Sequence, residues 1–159
     1  MTGGVRVEAL APDAPEALAL LEELSAALSA ITGDSGRSSF DPADVRGPMA
    51  RFVVARDGGG AALGCGAFRP MATGEAGEGP AAEVKRMYAR PGRRGVGGAI
   101  LAFLEAEAAA LGYRVLRLST RLVNTRAVAF YEARGYARIA NFGRYAAKPE
   151  SVCFEKRLY

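Results

Sequence analysis

Histidine and tryptophan are absent from this 159-residue chain, and cysteine occurs only twice. A structural zinc site takes four Cys or His ligands, and a Ser-His-Asp or Cys-His nucleophile needs an imidazole. Neither arrangement can be built from this composition, and we expect no metal site. Cys65 and Cys153 lie in predicted strands, where each is expected to be a small buried residue. Acid–base chemistry therefore has to use carboxylates, tyrosine, lysine, cysteine or water.

Long apolar runs are also missing. No segment reaches the roughly 18 apolar residues that a membrane span needs, and the N-terminus lacks the basic head and apolar stretch of a signal peptide. We therefore expect a cytoplasmic protein with no membrane partner. The net charge of +4 is spread along the chain without a basic stripe of interleaved aromatics. No nucleic-acid partner is expected, although the pI near 9.3 keeps a nucleic-acid-binding module as a minor alternative.

The order of predicted elements indicates an α+β fold. Leucines and isoleucine at helical spacing predict a first helix whose apolar face is Leu18, Leu21, Leu24, Leu28 and Ile31, with Gly33 as its stop. Strands are predicted over 5–10, 51–57, 62–70, 82–90, 113–120, 136–140 and 151–159. Two later helices are predicted, one ending near 112 and one over 124–135. Hairpins and helical crossovers both occur, so we expect a mixed, mostly antiparallel central sheet flanked by helices, in one domain over 1–159.

The segment RPGRRGVGGA, residues 90–99, places glycines and arginines between a strand and a helix. A helix N-terminus has unpaired N–H groups and partial positive charge, and glycines before it let anionic oxygens approach the backbone. The segment therefore predicts a phosphate cradle. It lacks the Lys-Ser/Thr of a P-loop, and Ile100 occupies the third glycine position of a dinucleotide fingerprint. The predicted phosphate contacts are Arg93, Arg94, Gly95, Val96, Gly97, Gly98 and Ala99.

Arg94-x-x-Gly97-x-Ala99 resembles the Arg/Gln-x-x-Gly-x-Gly/Ala signature of GNAT-type N-acetyltransferases. The preceding AEVKRMYARPGRRG is similar to the fourth strand and pyrophosphate loop of that family. The later NTRAVAFYEARGY resembles the segment that follows them. The resemblance is close from about residue 81 to residue 140, and the element order supports it over the whole chain.

The resemblance implies acetyl-CoA as cosubstrate and no metal. In the family the fourth and fifth strands splay apart, and the pantetheine arm pairs with backbone groups of the fourth strand. Those groups would belong to Met87, Tyr88 and Ala89. Asn124 matches a residue that often contacts pantetheine, although its residue type is equally suited to capping a helix.

Two residues match catalytic positions of the family. Tyr131 matches the usual general acid, which protonates the departing CoA thiolate; alternatively it is a core aromatic, but Phe130 can fill the core beside it. Glu83 matches a glutamate that some members use as general base; alternatively it is an edge charge paired with Lys85 or an arginine. Weaker base candidates are Glu75 and Glu78.

The resemblance implies direct transfer of an acetyl group to a primary amine of a small molecule or amino-acid derivative, with a homodimer as a possible assembly. The alternative is a CoA-binding protein without transfer activity. The acceptor site is expected among the loops, where Phe142, Arg144 and Tyr145 either line a pocket or cover the end of the sheet.

Overall fold

A mixed sheet organises the computed structural model, which describes residues 4–71 and 80–158. Over these residues the sheet has seven strands in the order β1-β2-β3-β4-β5-β7-β6. Only the β4–β5 pair is parallel, and the other pairs are antiparallel. The strands are β1 Arg6–Ala9, β2 Arg51–Arg56, β3 Ala62–Pro70, β4 Ala81–Ala89, β5 Val115–Arg121, β6 Ala137–Ile139 and β7 Ser151–Arg157. The helices are α1 Pro15–Thr32, α2 Val96–Ala110 and α3 Thr125–Ala133. The predicted α+β fold is confirmed, while one domain over 1–159 stays a prediction.

One face of the sheet is covered by α1, and here the predicted helix face is partly wrong. Leu18 and Ile31 are 53% and 47% exposed, whereas the helix buries Ala17, Leu20 and Leu24. The spacing of these three is also helical, and the small Ala17 lets the helix approach the sheet closely. The face that α1 buries is therefore rotated relative to the predicted face, and Leu18 and Ile31, at the two ends of the predicted face, are exposed to solvent.

The opposite face is covered by α2 and α3. Ile100 and Leu104 of α2 are fully buried and belong to the same apolar cluster as Phe68 and Leu116 of the sheet. Burying each such side chain stabilises the fold by roughly 1.5–3 kcal/mol. The two helical layers therefore pack against the sheet from both sides.

A β-bulge interrupts β4 opposite Gly66. Cys65 pairs with Tyr88 and Ala67 with Lys85, so β4 has one more residue than β3 across this step. Arg86 lies in the bulge with a φ of 57°, the one positive φ outside glycine among the described residues. The left-handed conformation costs a non-glycine residue roughly 1–2 kcal/mol.

The bulge coincides with the parting of β4 from β5. Their pairing covers only Ala81–Glu83 against Val115–Arg117, although both strands continue for several residues. The antiparallel β3 and β7 still hold the outer edges of the two strands. An open cleft therefore forms between β4 and β5, in the middle of the sheet.

The cysteines are buried as predicted. Cys65 lies in β3 and Cys153 in β7, and neither is in a disulfide. Burial raises the pKa of the Cys65 thiol to about 12. The protonated thiol lies 3.4 Å from the Arg86 carbonyl, to which it donates a hydrogen bond within the bulge.

Replacing Gly64 tests how tightly β3 and β4 are joined beside the bulge. A Cβ at this position would lie 2.3 Å from the Tyr88 carbonyl oxygen, so the backbone would have to move. We expect Gly64→Ala to lower the free energy of unfolding by about 1–3 kcal/mol. The matched control is Gly59→Ala in the β2–β3 turn, where a Cβ would meet only Asp57 Oδ1 at 3.5 Å. Urea titrations of both variants are the measurement, and equal stability would contradict the close approach.

Candidate active site

The cleft between β4 and β5 has a cavity of about 190 Å³. Its walls come from both strands, the end of α1, the start of α3 and the turn at Gly143–Tyr145. Glu83, Met87, Asn124 and Tyr131 all line it. Four of the predicted catalytic and cofactor-binding residues are therefore brought together at the same opening.

The other two predicted cofactor-binding residues of β4, Tyr88 and Ala89, lie at the end of the strand. Tyr88 turns its side chain toward α1, where its hydroxyl donates a hydrogen bond to Glu23 Oε1 at 3.1 Å. Arg90 donates two hydrogen bonds to the same carboxylate, at 2.9 and 2.7 Å. These contacts attach α1 to the end of β4. The backbone of Met87, Tyr88 and Ala89 has no β5 partner, and its contact with pantetheine stays a prediction.

The glycine loop follows β4 and begins α2. Gly92 and Gly95 have φ values of 103° and 83°, and a Cβ at either would meet no atom within 4 Å. The first N–H bonded inside the helix is that of Ala99, which donates to the Gly95 carbonyl, so earlier N–H groups of the first turn point outward. Arg93 and Arg94 are exposed beside them. Outward N–H groups, positive charge and open space are the properties of an anion cradle.

Gly97 and Gly98 have a structural role that the sequence did not reveal. A Cβ on Gly97 would lie 3.2 Å from the Phe130 ring, and one on Gly98 would lie 2.8 Å from Arg134 Nη2. Arg134 stacks over Phe130, with its guanidinium carbon 3.9 Å from the ring centre. The absence of side chains at both glycines therefore lets α2 approach α3. Their predicted contact with a phosphate stays a prediction.

Tyr131 is more deeply buried than the sequence suggested. Its side chain is 7% exposed and belongs to the core, while Phe130 lies at the edge of that core. Tyr131 packs edge-on against Phe130 and Tyr136, and it still lines the cleft. Burial raises the pKa of Tyr131 well above its ordinary value. The hydroxyl therefore stays protonated at neutral pH and can donate a proton or a hydrogen bond.

Glu83 is a paired and buried carboxylate, 1% exposed. Arg69 Nη2 lies 2.6 Å from its Oε1, and the Tyr145 hydroxyl donates a hydrogen bond of 2.9 Å to its Oε2. Lys85 Nζ is 3.9 Å from Oε2, on the same side of the strand as predicted. The pairing with Arg69 and Lys85 is the alternative that the sequence left open for Glu83. Its contact with Tyr145, which also lines the cleft, connects it to the opening.

Sequence reasoning missed Arg69 and the role of Tyr145. Arg69 lies directly opposite Glu83 in the β3–β4 register. The sequence predicts that β3 and β4 are neighbouring strands, but not which of their residues face each other. Arg144 and Tyr145 do line the cleft, whereas Phe142 packs against Tyr145 with ring centres 5.6 Å apart. The weaker base candidates Glu75 and Glu78 lie outside the described residues.

Burial also changes the chemistry of Lys85, one of the two lysines that line the cleft. The Lys85 side chain is 8% exposed, and desolvation lowers its pKa despite the opposing charge of Glu83.

Within residues 4–71 and 80–158, no group of three His, Cys, Asp or Glu is arranged to hold a metal ion. Over the same ranges, no helix has the length and apolar character needed to cross a bilayer.

Known proteins resemble this chain in sequence and in fold. The family model of the acetyltransferase (GNAT) family matches residues 17–136. The chain therefore belongs to the GNAT acetyltransferase family, as the sequence motifs indicated.

Individual relatives agree with this assignment. An IAA acetyltransferase of Azospirillum brasilense is 35% identical over 141 residues, covering 87% of this chain and 88% of its own. A Klebsiella pneumoniae structure proposed to be an acyl-CoA N-acyltransferase is 30% identical, covers 98% of each chain and has a TM-score of 0.78. A GNAT-family acetyltransferase of Staphylococcus aureus shares the fold at 13% identity, with a TM-score of 0.74 over 98% of this chain and 100% of its own.

Arg69→Gln tests the ion pair that holds Glu83. Removing the guanidinium leaves a buried carboxylate without its strongest partner, so the free energy of unfolding should fall by about 1–3 kcal/mol. Adding Glu83→Gln removes the unpaired charge and should recover part of that loss. Urea unfolding of the single and double variants measures both effects.

The matched control is Arg46→Gln, whose ion pair with Asp13 is exposed on both sides. That variant should change stability by less than about 1 kcal/mol. A loss for Arg69→Gln no larger than that of the control would contradict a structural role for the Arg69–Glu83 pair.

Proposed function

We propose that this protein transfers an acetyl group from acetyl-CoA directly to the primary amine of a small molecule. The single observation that supports it most is the cleft opened by β4 and β5, because a glycine loop lies beyond one strand and the side chains of Tyr131 and Glu83 line the opening. Membership of the GNAT family supports acetyl-CoA as the donor. The cavity of about 190 Å³ supports a small acceptor.

The donor is assigned to the β4 side of the cleft. The backbone of Met87, Tyr88 and Ala89 has no β5 partner and is suited to pair with the amides of the pantetheine arm. Asn124 uses its side-chain oxygen to accept the Ala127 N–H at 3.3 Å and so caps α3, which leaves its amide nitrogen for the pantetheine. The loop from Arg93 to Ala99 is assigned to the pyrophosphate, on the properties of an anion cradle described above.

The reaction needs a neutral amine, a polarised thioester carbonyl and a proton for the leaving sulfur. The amine nitrogen attacks the carbonyl carbon, the C–S bond breaks, and the products are an amide and the thiol of CoA. We assign Tyr131 as the acid that protonates the sulfur, because its side chain carries a hydroxyl proton and lines the cleft. Holding both reactants in one cleft supplies much of the rate enhancement.

The proton lost by the amine is assigned to Glu83. Because this carboxylate is 1% exposed, the proton has to reach it through a neighbouring group. The Tyr145 hydroxyl, which donates to Glu83 Oε2 and lines the cleft, is one such group, and a water molecule is another. An alkylamine has a pKa near 10.4 in water, and the positive charge of Lys85 in the cleft favours its neutral form.

Removing the charge of the glycine loop tests the donor assignment. The Arg93→Ala/Arg94→Ala double variant should raise the KM for acetyl-CoA about tenfold or more, the typical effect of losing hydrogen bonds to a charged group. The KM for S-acetylpantetheine, which has no pyrophosphate, should change little. Arg138→Ala, which removes an exposed arginine of β6, is the control. A donor KM that rises equally for both thioesters would contradict the assignment.

A substitution of Gly97 is a poorer test of the donor assignment, because a side chain at that position would contact Phe130.

Two substitutions separate the proton donor from the proton acceptor. Tyr131→Phe should lower kcat by about 10²- to 10⁴-fold with little change in the KM for acetyl-CoA, because the hydroxyl matters when the thiolate forms. Glu83→Gln should lower kcat/KM and move or remove the acidic limb of its pH profile. Pre-steady-state acetyl transfer establishes whether chemistry limits the rate. Unchanged turnover in both folded variants would contradict these roles.

The acceptor is sought with an amine panel and detection of free CoA thiol. One relative is named an IAA acetyltransferase, so IAA is tested as a separate acceptor beside the panel of amino acids and simple alkylamines. Calorimetric binding of acetyl-CoA without thiol release from any member of the panel would instead favour a CoA-binding protein that transfers nothing.

A further inference from the structure

Arg86 is a buried cation that forms no salt bridge with a carboxylate of the described residues, although Asp34, beyond salt-bridge distance, offsets part of its charge. The residue is 9% exposed, and it lines the cleft. Its guanidinium donates a long hydrogen bond of 3.4 Å to the Ser35 carbonyl and lies 5.3 Å from the centre of the Phe40 ring. Neither group supplies a negative charge. A buried charge without a counter-charge is unfavourable, because water no longer solvates it fully.

The two carboxylates that line the cleft are already engaged. Asp34 is 2.7 Å from Arg121 and accepts the Gly36 N–H at 2.9 Å, and Glu83 is held by Arg69 and Tyr145 as described above. The cleft therefore carries an excess of positive charge over its described lining residues. Its cations are Lys85, Arg86, Arg121, Arg144 and Lys148.

The conformation of Arg86 adds an independent observation. Its positive φ sets it apart from every other non-glycine residue that the structure describes, and the bulge that holds it lies where β4 and β5 have parted. Strained backbone of this kind concentrates at ligand-binding sites. The bulge places a guanidinium in the cleft, between the strand and the segment that follows α1.

We propose that the acceptor amine also carries an anionic oxygen group, a carboxylate or a phosphate, and that Arg86 binds this group. The inference rests on the proposed function, since it names the acceptor class of the same site. A guanidinium presents several N–H donors in a plane and pairs with such groups through two parallel hydrogen bonds. The anion supplies the missing counter-charge, while the amine of the same molecule faces the thioester.

Matched acceptor pairs test the proposal. Glycine, β-alanine, 4-aminobutyrate and 5-aminopentanoate vary the distance between amine and carboxylate, and the amide of each removes the negative charge. O-Phosphoethanolamine, compared with ethanolamine, tests phosphate. At least one anionic compound should exceed its neutral partner in kcat/KM by about tenfold to a hundredfold, the usual size of a charge-assisted hydrogen bond. Preference for the neutral partner, or no preference, throughout all the pairs would overturn the proposal.

Variants of Arg86 assign the preference to this side chain. Arg86→Gln should abolish most of the preference for the anionic partner and change kcat/KM for the neutral partner much less. Arg86→Lys keeps the positive charge but loses the planar fork, and it should retain part of the preference. The control Arg46→Gln, on the exposed Asp13 pair, should retain all of it. A preference that survives in folded Arg86→Gln would overturn the role of Arg86.

A binding experiment separates this proposal from the proposed transferase activity. Titration calorimetry with the N-acetyl derivatives of the same acids and amides, in the presence of CoA, needs no turnover. The acids should bind the unmodified protein about tenfold or more tightly than the amides do. Arg86→Gln should bind the acids as weakly as it binds the amides. Such binding without any acetyl transfer would support the anion site and reject the transferase. Equal affinity for acid and amide in the unmodified protein would reject the anion site whatever the activity.

Discussion

The parting of β4 from β5 after Glu83 is the constraint on which the candidate site depends. Hydrogen bonds to β3 and β7 hold the outer edges of the two strands, so the inner edges face each other across a gap. Unpaired backbone groups are costly when buried, and a ligand that pairs with them restores the continuity of the sheet. The free edge is thus the feature to which we assign binding, and side-chain identity does not encode it.

The same opening explains why charged side chains accumulate at this point of the sheet. Glu83 is the last β4 residue paired with β5, and the strand beyond it carries Lys85 and Arg86. A carboxylate at such a position would be unfavourable alone, and Arg69 from β3 and Tyr145 from a later turn compensate it. The cluster ties three distant segments of the chain to the edge of the cleft.

Much of this arrangement could be predicted from local patterns, and the remainder depends on tertiary contacts. Strand order of the hairpins, the glycine loop and the Asn124 cap each follow from residues close in sequence. The pairing of Arg69 with Glu83 requires the register across residues 72–79, and Tyr145 reaches Glu83 from 62 residues away. The bulge was equally hidden, because an arginine is an unusual residue at positive φ. The burial of Tyr131 depends on how α3 lies against β7, which its helical spacing does not determine.

The net charge of the chain does not indicate the charge of the cleft. A net charge of +4 over 159 residues suggests no particular ligand, because many arginines pair with carboxylates outside the cleft, as Arg56 does with Glu8 and Glu16. The cleft is different, since its carboxylates are already paired while Arg86 lacks a carboxylate partner among the described residues. Low exposure makes each remaining charge there count for more than it would in water. An amine that brings its own negative group would satisfy this local imbalance, whereas a simple cationic amine would add to it.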